Sequence, residues 1–335
     1  MLEKEAMLKD VTSKAALSLS GVAALSATFQ RICAQELSQQ SLRSEILVST
    51  TWLERHLNDR DLVVLYIGRD RSQFDSGHIP GSRFVRLDEL VEQHESSLNE
   101  LPSVADLQAT FERLGVGPRS RVVLTDADGG VLAARAYFTL DYLGHGDQTA
   151  LLDGGMKTWK AQSRTTSQEE HTVARAEFIP HIRPDILIST ARMRELSLDA
   201  GKGDSDYALL DARPVAEHTG VVNSESISQA GHIAGSQSLY WKRLVRFDAD
   251  PQLLDPTELQ RRFVDAGARS DRTVVTYCRT GMQSSFTYFV AKYLGYRAAM
   301  YDGSVYEWVR AGNMLVSSPA PRQTATTGQQ KFLTR

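Results

Sequence analysis

Two halves of this sequence repeat one another, and the repeat constrains the fold more than any other feature. Residues 46–50 read ILVST, and residues 186–190 read ILIST. Residues 77–82 read GHIPGS, and the same segment returns at 231–236 as GHIAGS, with one substitution. Repetition of this kind indicates two structural units of similar fold rather than one large core.

The apolar runs near these segments have the length of buried strands, and some lead into helical patterns. The predicted strands lie at 62–67, 121–125, 207–210 and 273–277. Amphipathic helices are predicted at 132–143 and 284–294, after the second and the fourth of these strands. Alternation of strands and helices is typical of a parallel sheet covered by helices. The sequence therefore predicts the α/β class, with one parallel sheet flanked by helices in each half.

Each copy closes with an Asp-Gly pair and, shortly after it, a tryptophan. Asp153 precedes Trp159 in the first copy, and Asp302 precedes Trp308 in the second. Asp-Gly favours a tight turn, and tryptophan contributes a large apolar surface. We interpret both pairs as structural, a turn followed by a packed ring.

The repeat and the composition between its copies divide the 335 residues into segments. The sequence predicts a leader at 1–40, a first domain at 41–165, a linker at 166–185, a second domain at 186–316 and a tail at 317–335. The linker is polar and contains Pro180 and Pro184. The tail is rich in Ser, Thr, Pro and Gln and lacks periodicity, so we expect it to be loosely ordered.

Composition and charge exclude several classes of partner. The formal net charge is −3, 41% of the residues are hydrophobic, and no long basic run occurs, which argues against nucleic acid or an anionic membrane as partner. The two cysteines, Cys33 and Cys278, are too few for a disulfide framework or a thiolate metal cluster. We predict no metal and no cofactor, small-molecule or protein partners, and a monomer, because the paired domains bury their inner faces.

The leader contains a stretch that is similar to the apolar core of a signal peptide. Residues 15–29 are small and apolar, Lys9 and Lys14 precede them, and cleavage is expected after Ala34. Acidic residues near the start and Arg31 near the cleavage position favour the alternative, a helical or irregular leader. The sequence thus favours an exported, periplasmic protein over a cytoplasmic one and leaves both interpretations open.

Cys278 lies where a parallel sheet places its ligands, directly after the predicted strand at 273–277. The loop at 278–283 leads into a helix predicted to start near Ser284. Loop amides and the positive helix end there would stabilise a thiolate and bind an anion. The alternative is a small buried apolar side chain, which is the commoner role of a lone cysteine. Arg279 and the helix start favour the chemical role.

These residues resemble the rhodanese family, whose signature is a six-residue loop that begins with a persulfide cysteine between a strand and a helix. The resemblance extends from Ile46 to about Trp308 and includes both GHIxGS segments. It also includes Asp211-Ala212-Arg213, which is similar to the family's Asp-x-Arg. The resemblance implies two rhodanese-like domains and a sulfurtransferase whose catalytic residue is Cys278.

The resemblance also implies that the first copy is inactive. Aligned through the Leu-Gly pairs that end the two helices, Ala127 falls opposite Cys278. The loop at 127–130 then has no nucleophile and has an acid opposite Arg279, and residues 66–69 lack the Asp of the Asp-x-Arg. We therefore interpret the first domain as a scaffold and as one wall of the active-site cleft.

The implied reaction is a double displacement in which Cys278 takes a sulfane sulfur and passes it to a thiophilic acceptor, cyanide, a thiol or a protein. Arg279 is expected to bind the anionic group of the donor, and Asp211 and Arg213 are expected to form a charge pair that positions the loop. His78 and His232 recur in both copies and are interpreted as structural. The residues predicted to bind substrate or persulfide are Arg279, Thr280, Gly281, Met282, Gln283 and Ser284. Thr280 and Ser284 also fit plain helix caps.

The donor and the class of function retain alternatives. Arg279 followed by Thr280 fits half of the family's thiosulfate pattern, so thiosulfate is favoured over 3-mercaptopyruvate. A phosphatase of the same fold needs an arginine where this loop has Ser284, which argues against that activity. The remaining alternative is a sulfur carrier or protein-binding module without rapid turnover.

Overall fold

The computed structural model describes residues 41–200, 205–223, 226–247 and 249–317. The leader with Cys33, the cleavage position after Ala34 and most of the tail lie outside the described residues, and the expectations for them stay predictions. No helix among the described residues is long and apolar enough to cross a lipid bilayer.

Helices and strands alternate along the chain, as the sequence predicts. The strands are β1 Leu47–Val48, β2 Leu62–Gly68, β3 Arg83–Arg86, β4 Glu92–Gln93, β5 Leu98–Glu100, β6 Arg121–Thr125, β7 Thr149–Leu152, β8 Tyr207–Asp211, β9 Gln237–Ser238, β10 Val245–Phe247, β11 Asp250–Leu253, β12 Thr273–Tyr277 and β13 Ala298–Met300. The helices are α1 Thr50–His56, α2 Ser72–Asp75, α3 Val104–Arg113, α4 Val131–Tyr142, α5 Gly155–Ala161, α6 Thr190–Ala200, α7 Val215–Thr219, α8 Pro256–Asp265, α9 Met282–Tyr293 and α10 Ser304–Arg310.

The first half forms a five-stranded sheet in the order β1-β7-β6-β2-β3, and all its neighbouring strands are parallel. Its central strands are buried on both faces, as the apolar run from Val63 to Ile67 shows. A strand covered on both faces needs continuous apolar residues, which is why these runs do not alternate. The parallel α/β architecture predicted from the sequence is confirmed.

The second half repeats this arrangement in a sheet with the order β13-β12-β8-β9. Its neighbouring strands are also parallel, and Leu187 adds a parallel bridge to Met300 at the place that β1 occupies in the first sheet. Two antiparallel hairpins, β4–β5 and β10–β11, stand outside the sheets. The sequence analysis did not predict them, because their strands have only two to four residues and no clear alternation.

One hydrophobic cluster runs through both halves and is centred on the contact between α4 and α9, and each half has a further cluster of its own. Tyr137 meets Phe289 edge to face with ring centroids 4.9 Å apart, and Phe138 meets Tyr288 in the same way at 5.1 Å. The Tyr288 hydroxyl donates a 2.6 Å hydrogen bond to Asp141 of the first half. Because these helices follow β6 and β12, the packing brings the carboxyl ends of both central strands toward the interface.

Reciprocal polar contacts cross the same interface. Arg135 on α4 is fully buried and forms a bidentate ion pair with Asp302 of the second half, with a 2.9 Å distance between Nη2 and Oδ2. In the opposite direction, the Leu253 amide of β11 donates a 2.8 Å hydrogen bond to Asp153. The sequence analysis assigned these two aspartates to local turns only. Their carboxylates instead hold the opposite half.

The two tryptophans pack as expected for structural residues. Trp159 and Trp308 are both buried, and each indole N–H donates to a backbone carbonyl further along the chain, that of Thr165 or that of Met314. The two GHIxGS segments are tied down in a similar way. His78 and His232 are buried, and their ring nitrogens contact backbone carbonyls.

The buried ion pair between the halves makes a prediction about stability. Arg135→Leu leaves the Asp302 carboxylate buried without its partner, and we expect the free energy of unfolding to fall by about 3–5 kcal/mol. The double variant Arg135→Leu/Asp302→Asn removes that unpaired charge and should recover part of the loss. Urea unfolding of the full chain measures both.

The matched control is Arg71→Leu, which removes an arginine that is 43% exposed from surface ion pairs with Asp75 and Glu170, whose side chains are 56% and 70% exposed. Its expected effect is below about 1 kcal/mol. Equal losses for Arg71→Leu and Arg135→Leu would contradict the assignment of a special role to the buried pair.

Candidate active site

Cys278 lies at the carboxyl end of β12, in the loop that turns directly into α9. Gly281 caps the helix with φ of +82°, a left-handed conformation that favours glycine. A Cβ atom on Gly281 would collide with Asp302, so the close approach of the second half's own turn also requires glycine here. The loop is therefore held in one shape by a conformational and a steric constraint.

The helix begins at Met282 and not near Ser284, so the sequence analysis placed the helix start too late. Met282, Gln283 and Ser284 consequently form the first turn, where backbone N–H groups have no intrahelical partner and point toward the loop. The error arose because apolar periodicity does not distinguish a first turn from the loop that precedes it.

The Cys278 side chain is buried, with 1% of its surface exposed, and Ser284 contacts its sulfur. The Ser284 hydroxyl lies 3.5 Å from Cys278 Sγ and 3.0 Å from the Gly281 carbonyl oxygen. The Ser284 hydroxyl therefore donates back to a loop carbonyl and neighbours the sulfur, and it is not a cap, because it accepts no amide of this helix start in the described part of the chain. Met282 is also buried, and the side-chain carbonyl of Gln283 has no hydrogen-bond partner among the described residues.

Ser304 is a loop-positioning residue that the sequence analysis missed. Its hydroxyl accepts hydrogen bonds from the backbone amides of Cys278 and Gly281, each at 3.1 Å, and donates to the Tyr301 carbonyl at 3.0 Å. Ser304 has φ of +55°, an unfavourable conformation for a residue with a Cβ atom. The hydrogen bonds to the loop explain why a serine occupies this backbone position.

The first copy shows the contrast directly. Gly155 lies at the equivalent point after its Asp-Gly pair and has the same φ of +55°. The φ of this one residue is thus the same in both copies, although the glycine before it differs, with φ of +76° at Gly154 and −58° at Gly303. The hydroxyl is present only in the copy that contains the cysteine. The sequence carried this signal, because Asp-Gly-Gly in the first repeat becomes Asp-Gly-Ser in the second.

The loop of the first copy differs from the alignment used in the sequence analysis. β6 ends at Thr125 as β12 ends at Tyr277, so Asp126 follows the strand at the place of Cys278. The Asp126 carbonyl accepts the Met156 amide as the Cys278 carbonyl accepts the Val305 amide. Ala127 is opposite Cys278 only when counted back from the helix, because the first loop has one more residue.

Asp126 fills its own loop with a carboxylate. One oxygen accepts the amides of Asp128 at 2.9 Å and Gly130 at 2.8 Å, and the other accepts the Ala133 amide at 2.8 Å. Burial raises the pKa of Asp126, while these hydrogen bonds favour the charged form. A loop of this shape, placed before a helix, is thus an anion-binding cradle. In the first copy a side chain occupies it permanently.

Asp211 and Arg213 form a buried ion pair beside the Cys278 loop. Arg213 Nη2 lies 2.6 Å from Asp211 Oδ2 and donates a second bond, of 2.8 Å, to the Gly231 carbonyl. Burial by itself would raise the pKa of Asp211, but the Arg213 charge and the hydrogen bonds outweigh it and lower the pKa to about 2. His218 also contacts Asp211, at 3.1 Å, and stacks on His232 with ring centroids 3.9 Å apart.

Sheet register explains why the first copy lacks this pair. Asp211 is the parallel partner of Tyr277, and the equivalent strand position in the first sheet, the partner of Thr125, is Tyr66. A phenol there has no charge with which to anchor an arginine. The pair thus belongs to the copy that carries the cysteine.

Arg279 has a partner that the sequence did not reveal. Its guanidinium forms an ion pair with Glu217 on α7, and Glu217 also lies 4.0 Å from Arg213. The Arg279 side chain keeps 34% exposure, and its Nε atom has no hydrogen-bond partner among the described residues. Binding of a donor anion by Arg279 stays a prediction, and Glu217 offsets part of the positive charge on which that prediction relied.

Comparison with known proteins decides the family. A family model described as a rhodanese-like domain matches this chain twice, at residues 49–162 and 195–311. The chain belongs to the rhodanese family. The thiosulfate sulfurtransferase of Pseudomonas aeruginosa is 32% identical over 238 residues, which cover 71% of this chain and 84% of that protein. Its family and its named relatives identify the chain as a sulfurtransferase.

Other rhodanese relatives extend the comparison. The sulfur carrier protein TtuD of Thermus thermophilus is 31% identical over 287 residues, covering 81% of this chain and 95% of that protein. The solved structure of SseA from Escherichia coli, which is described as a 3-mercaptopyruvate sulfotransferase, has a TM-score of 0.66 and 21% identity. It covers 77% of this chain and 98% of SseA, and this likeness shows the shared fold.

The geometry of Ser304 makes a prediction about activity. Ser304→Gly and Ser304→Ala both remove the acceptor of two buried amides, and we expect each to lower kcat/KM for sulfur transfer by about tenfold or more. Glycine tolerates φ of +55° whereas alanine does not, so the alanine variant should be less stable by about 1 kcal/mol. Urea unfolding and turnover with thiosulfate and cyanide measure the two quantities. Full activity in the glycine variant would show that the hydroxyl has no role.

Proposed function

We propose that this sulfurtransferase works through a persulfide on Cys278, with thiosulfate as the donor. The observation that carries the proposal is the relation between the two loops. The Asp126 carboxyl accepts three backbone amides in the loop of the first copy, and Cys278 stands at the place of that aspartate after its own strand. The second cradle is thus suited to a thiolate or a persulfide anion.

The proposed reaction has two displacements. The Cys278 thiolate attacks the sulfane sulfur of thiosulfate, the new S–S bond forms as the donor's S–S bond breaks, and sulfite leaves with the electron pair. Cyanide then attacks the outer sulfur of the persulfide, thiocyanate forms, and the Cys278 thiolate is regenerated. Both steps conserve charge and need no oxidant, so the loop only has to stabilise an anion on sulfur throughout.

Thiosulfate is proposed as the donor because the site is built for anions and the named Pseudomonas aeruginosa relative uses it. Arg279 is half-buried at the loop, where an approaching dianion would compete with Glu217 for its guanidinium. 3-Mercaptopyruvate is the alternative. It carries one carboxylate and would need less positive charge at the loop. The ion pair between Arg279 and Glu217 lowers that charge and so favours this donor.

A second candidate function is delivery of the sulfur to a protein without rapid turnover. The Thermus thermophilus relative is named a sulfur carrier protein, and it matches 81% of this chain. The carrier and the enzyme would form the same persulfide, so they differ only in the fate of the outer sulfur. Turnover with a small acceptor therefore separates the two.

The test is the intact mass of the purified protein before and after incubation with thiosulfate. We expect a gain of one sulfur atom on Cys278 and its loss on addition of cyanide. Cys278→Ser, which keeps the size and polarity of the side chain, is the matched control and should gain nothing. Many equivalents of thiocyanate per protein would establish the enzyme.

Other outcomes of the mass measurement would each correct one part of the proposal. Loading by 3-mercaptopyruvate alone would change the donor and keep the persulfide. A stable persulfide that cyanide removes only once per protein would favour the carrier. No loading by either donor would rule out the persulfide mechanism.

We also propose that residues 1–34 direct export to the periplasm, on the basis of the apolar stretch at 15–29. Sequencing of the N-terminus of the protein recovered from its native host tests this. A start at Gln35 in a periplasmic fraction is expected, and an uncleaved protein in the cytoplasmic fraction would contradict export.

A further inference from the structure

The hairpin β4–β5 of the first domain reaches across the interface to the catalytic loop. The Asn99 amide group donates to the Thr280 carbonyl oxygen at 3.2 Å and to the Thr280 hydroxyl oxygen at 3.0 Å. On its other side, the Asn99 amide oxygen accepts a 3.0 Å hydrogen bond from Gln93. This second bond fixes the orientation of the amide, so that its nitrogen faces Thr280.

Asn99 and Ser304 hold the same peptide group of the loop from its two ends. The peptide between Thr280 and Gly281 has its carbonyl bonded to Asn99 and its N–H bonded to Ser304. A peptide group is planar, so fixing both ends fixes its rotation. The neighbouring peptide planes share its Cα atoms, and Asn99 thereby helps to direct the loop amides toward the cysteine.

The contact also determines what the Thr280 hydroxyl can do. Because Asn99 supplies the hydrogen in its bond to Thr280 Oγ1, the hydroxyl keeps its own hydrogen for another acceptor. Thr280 is half-buried at the loop. An anionic donor that enters there would meet a hydroxyl able to donate a hydrogen bond.

Two further features single out Asn99. Its φ is +59°, a left-handed conformation that glycine adopts without cost and that asparagine tolerates better than most residues. The equivalent hairpin of the second domain, β10–β11, approaches the first loop with the apolar ring of Pro251, which would lie 3.9 Å from a Cβ on Gly129. Asn99 thus makes a polar contact with the loop that contains the cysteine, whereas Pro251 presents an apolar ring to the other loop.

We propose that Asn99 is a positioning residue through which the first domain makes the Cys278 loop competent to receive an anionic sulfur donor. The inference deepens the proposed function and rests on it for the identity of the donor. It gives the domain without the cysteine a specific part in the reaction. The residue contacts the loop and not the sulfur, so it acts through Thr280 and Gly281.

The informative substitution is Asn99→Gly, because glycine keeps the left-handed backbone and removes only the side-chain amide. We expect the rate constant of persulfide formation with thiosulfate to fall about tenfold, the usual effect of losing one hydrogen bond to an ordered group. Asn99→Asp should fall further, because a carboxylate would face the Thr280 carbonyl and repel the donor. Ser96→Ala, an exposed position on the same hairpin, is the matched control and should match the wild type.

A second readout separates positioning from loss of folded protein. Iodoacetate and iodoacetamide differ by one negative charge, so the ratio of their rate constants for alkylation of Cys278, followed by the mass of the peptide that contains it, reports the attraction of the loop for anions. The ratio should fall in Asn99→Gly and in Asn99→Asp and stay constant in Ser96→Ala. The rates are measured under conditions in which urea unfolding shows each variant to be folded, because an unfolded chain also reacts and would move the ratio toward that of a free thiol.

The two readouts distinguish the inference from the proposed function. Wild-type protein that thiosulfate does not load would overturn the proposed donor, and the alkylation ratio would still decide the role of Asn99. Wild-type rates and ratios in Asn99→Gly and Asn99→Asp would overturn the positioning role and leave the persulfide mechanism intact.

Discussion

Backbone amides that converge at the start of a buried helix need hydrogen-bond acceptors, and this need organises the corresponding loop in both halves of the protein. In the first half the Asp126 carboxylate satisfies it with three hydrogen bonds of 2.8 to 2.9 Å. In the second half Cys278 takes that place, and Ser304 satisfies the Gly281 amide that an aspartate would otherwise engage. The loop at 278–281 therefore meets part of this need with a neutral hydroxyl and contains no carboxylate of its own.

The backbone that supports the Cys278 loop is strained, and the contacts around the loop stabilise it. Ser304 adopts a strained left-handed conformation, and the Gly281 loop presses against Asp302. Asp302 in turn is held by the buried Arg135 of the other half. Removing either member of that pair leaves a buried charge without compensation, so the first domain stabilises the loop even though it has no nucleophile.

The electrostatics around the loop are balanced rather than simply positive. Arg213 is neutralised by Asp211, and Arg279 by Glu217, so the side chains add little net charge near the sulfur. The fixed positive potential then comes mainly from backbone amides and the helix end, which do not titrate.

Local pattern was sufficient for much of this protein. The repeat, the apolar runs and the glycine positions predicted two parallel sheets, and the strands at 121–125 and 273–277 have the predicted bounds. These features follow from short-range rules, because a buried parallel strand must be apolar and a left-handed cap favours glycine. The position of Cys278 at a strand end follows from the same rules.

The sequence by itself determined the fold class, the two-domain organisation and the candidate nucleophile. Only the tertiary structure decided how the loop is held. Asn99 and Thr280 are 181 residues apart, and Arg135 and Asp302 are 167 apart, so no local pattern connects them. Contacts of this kind arise when two halves pack, and packing depends on the whole chain.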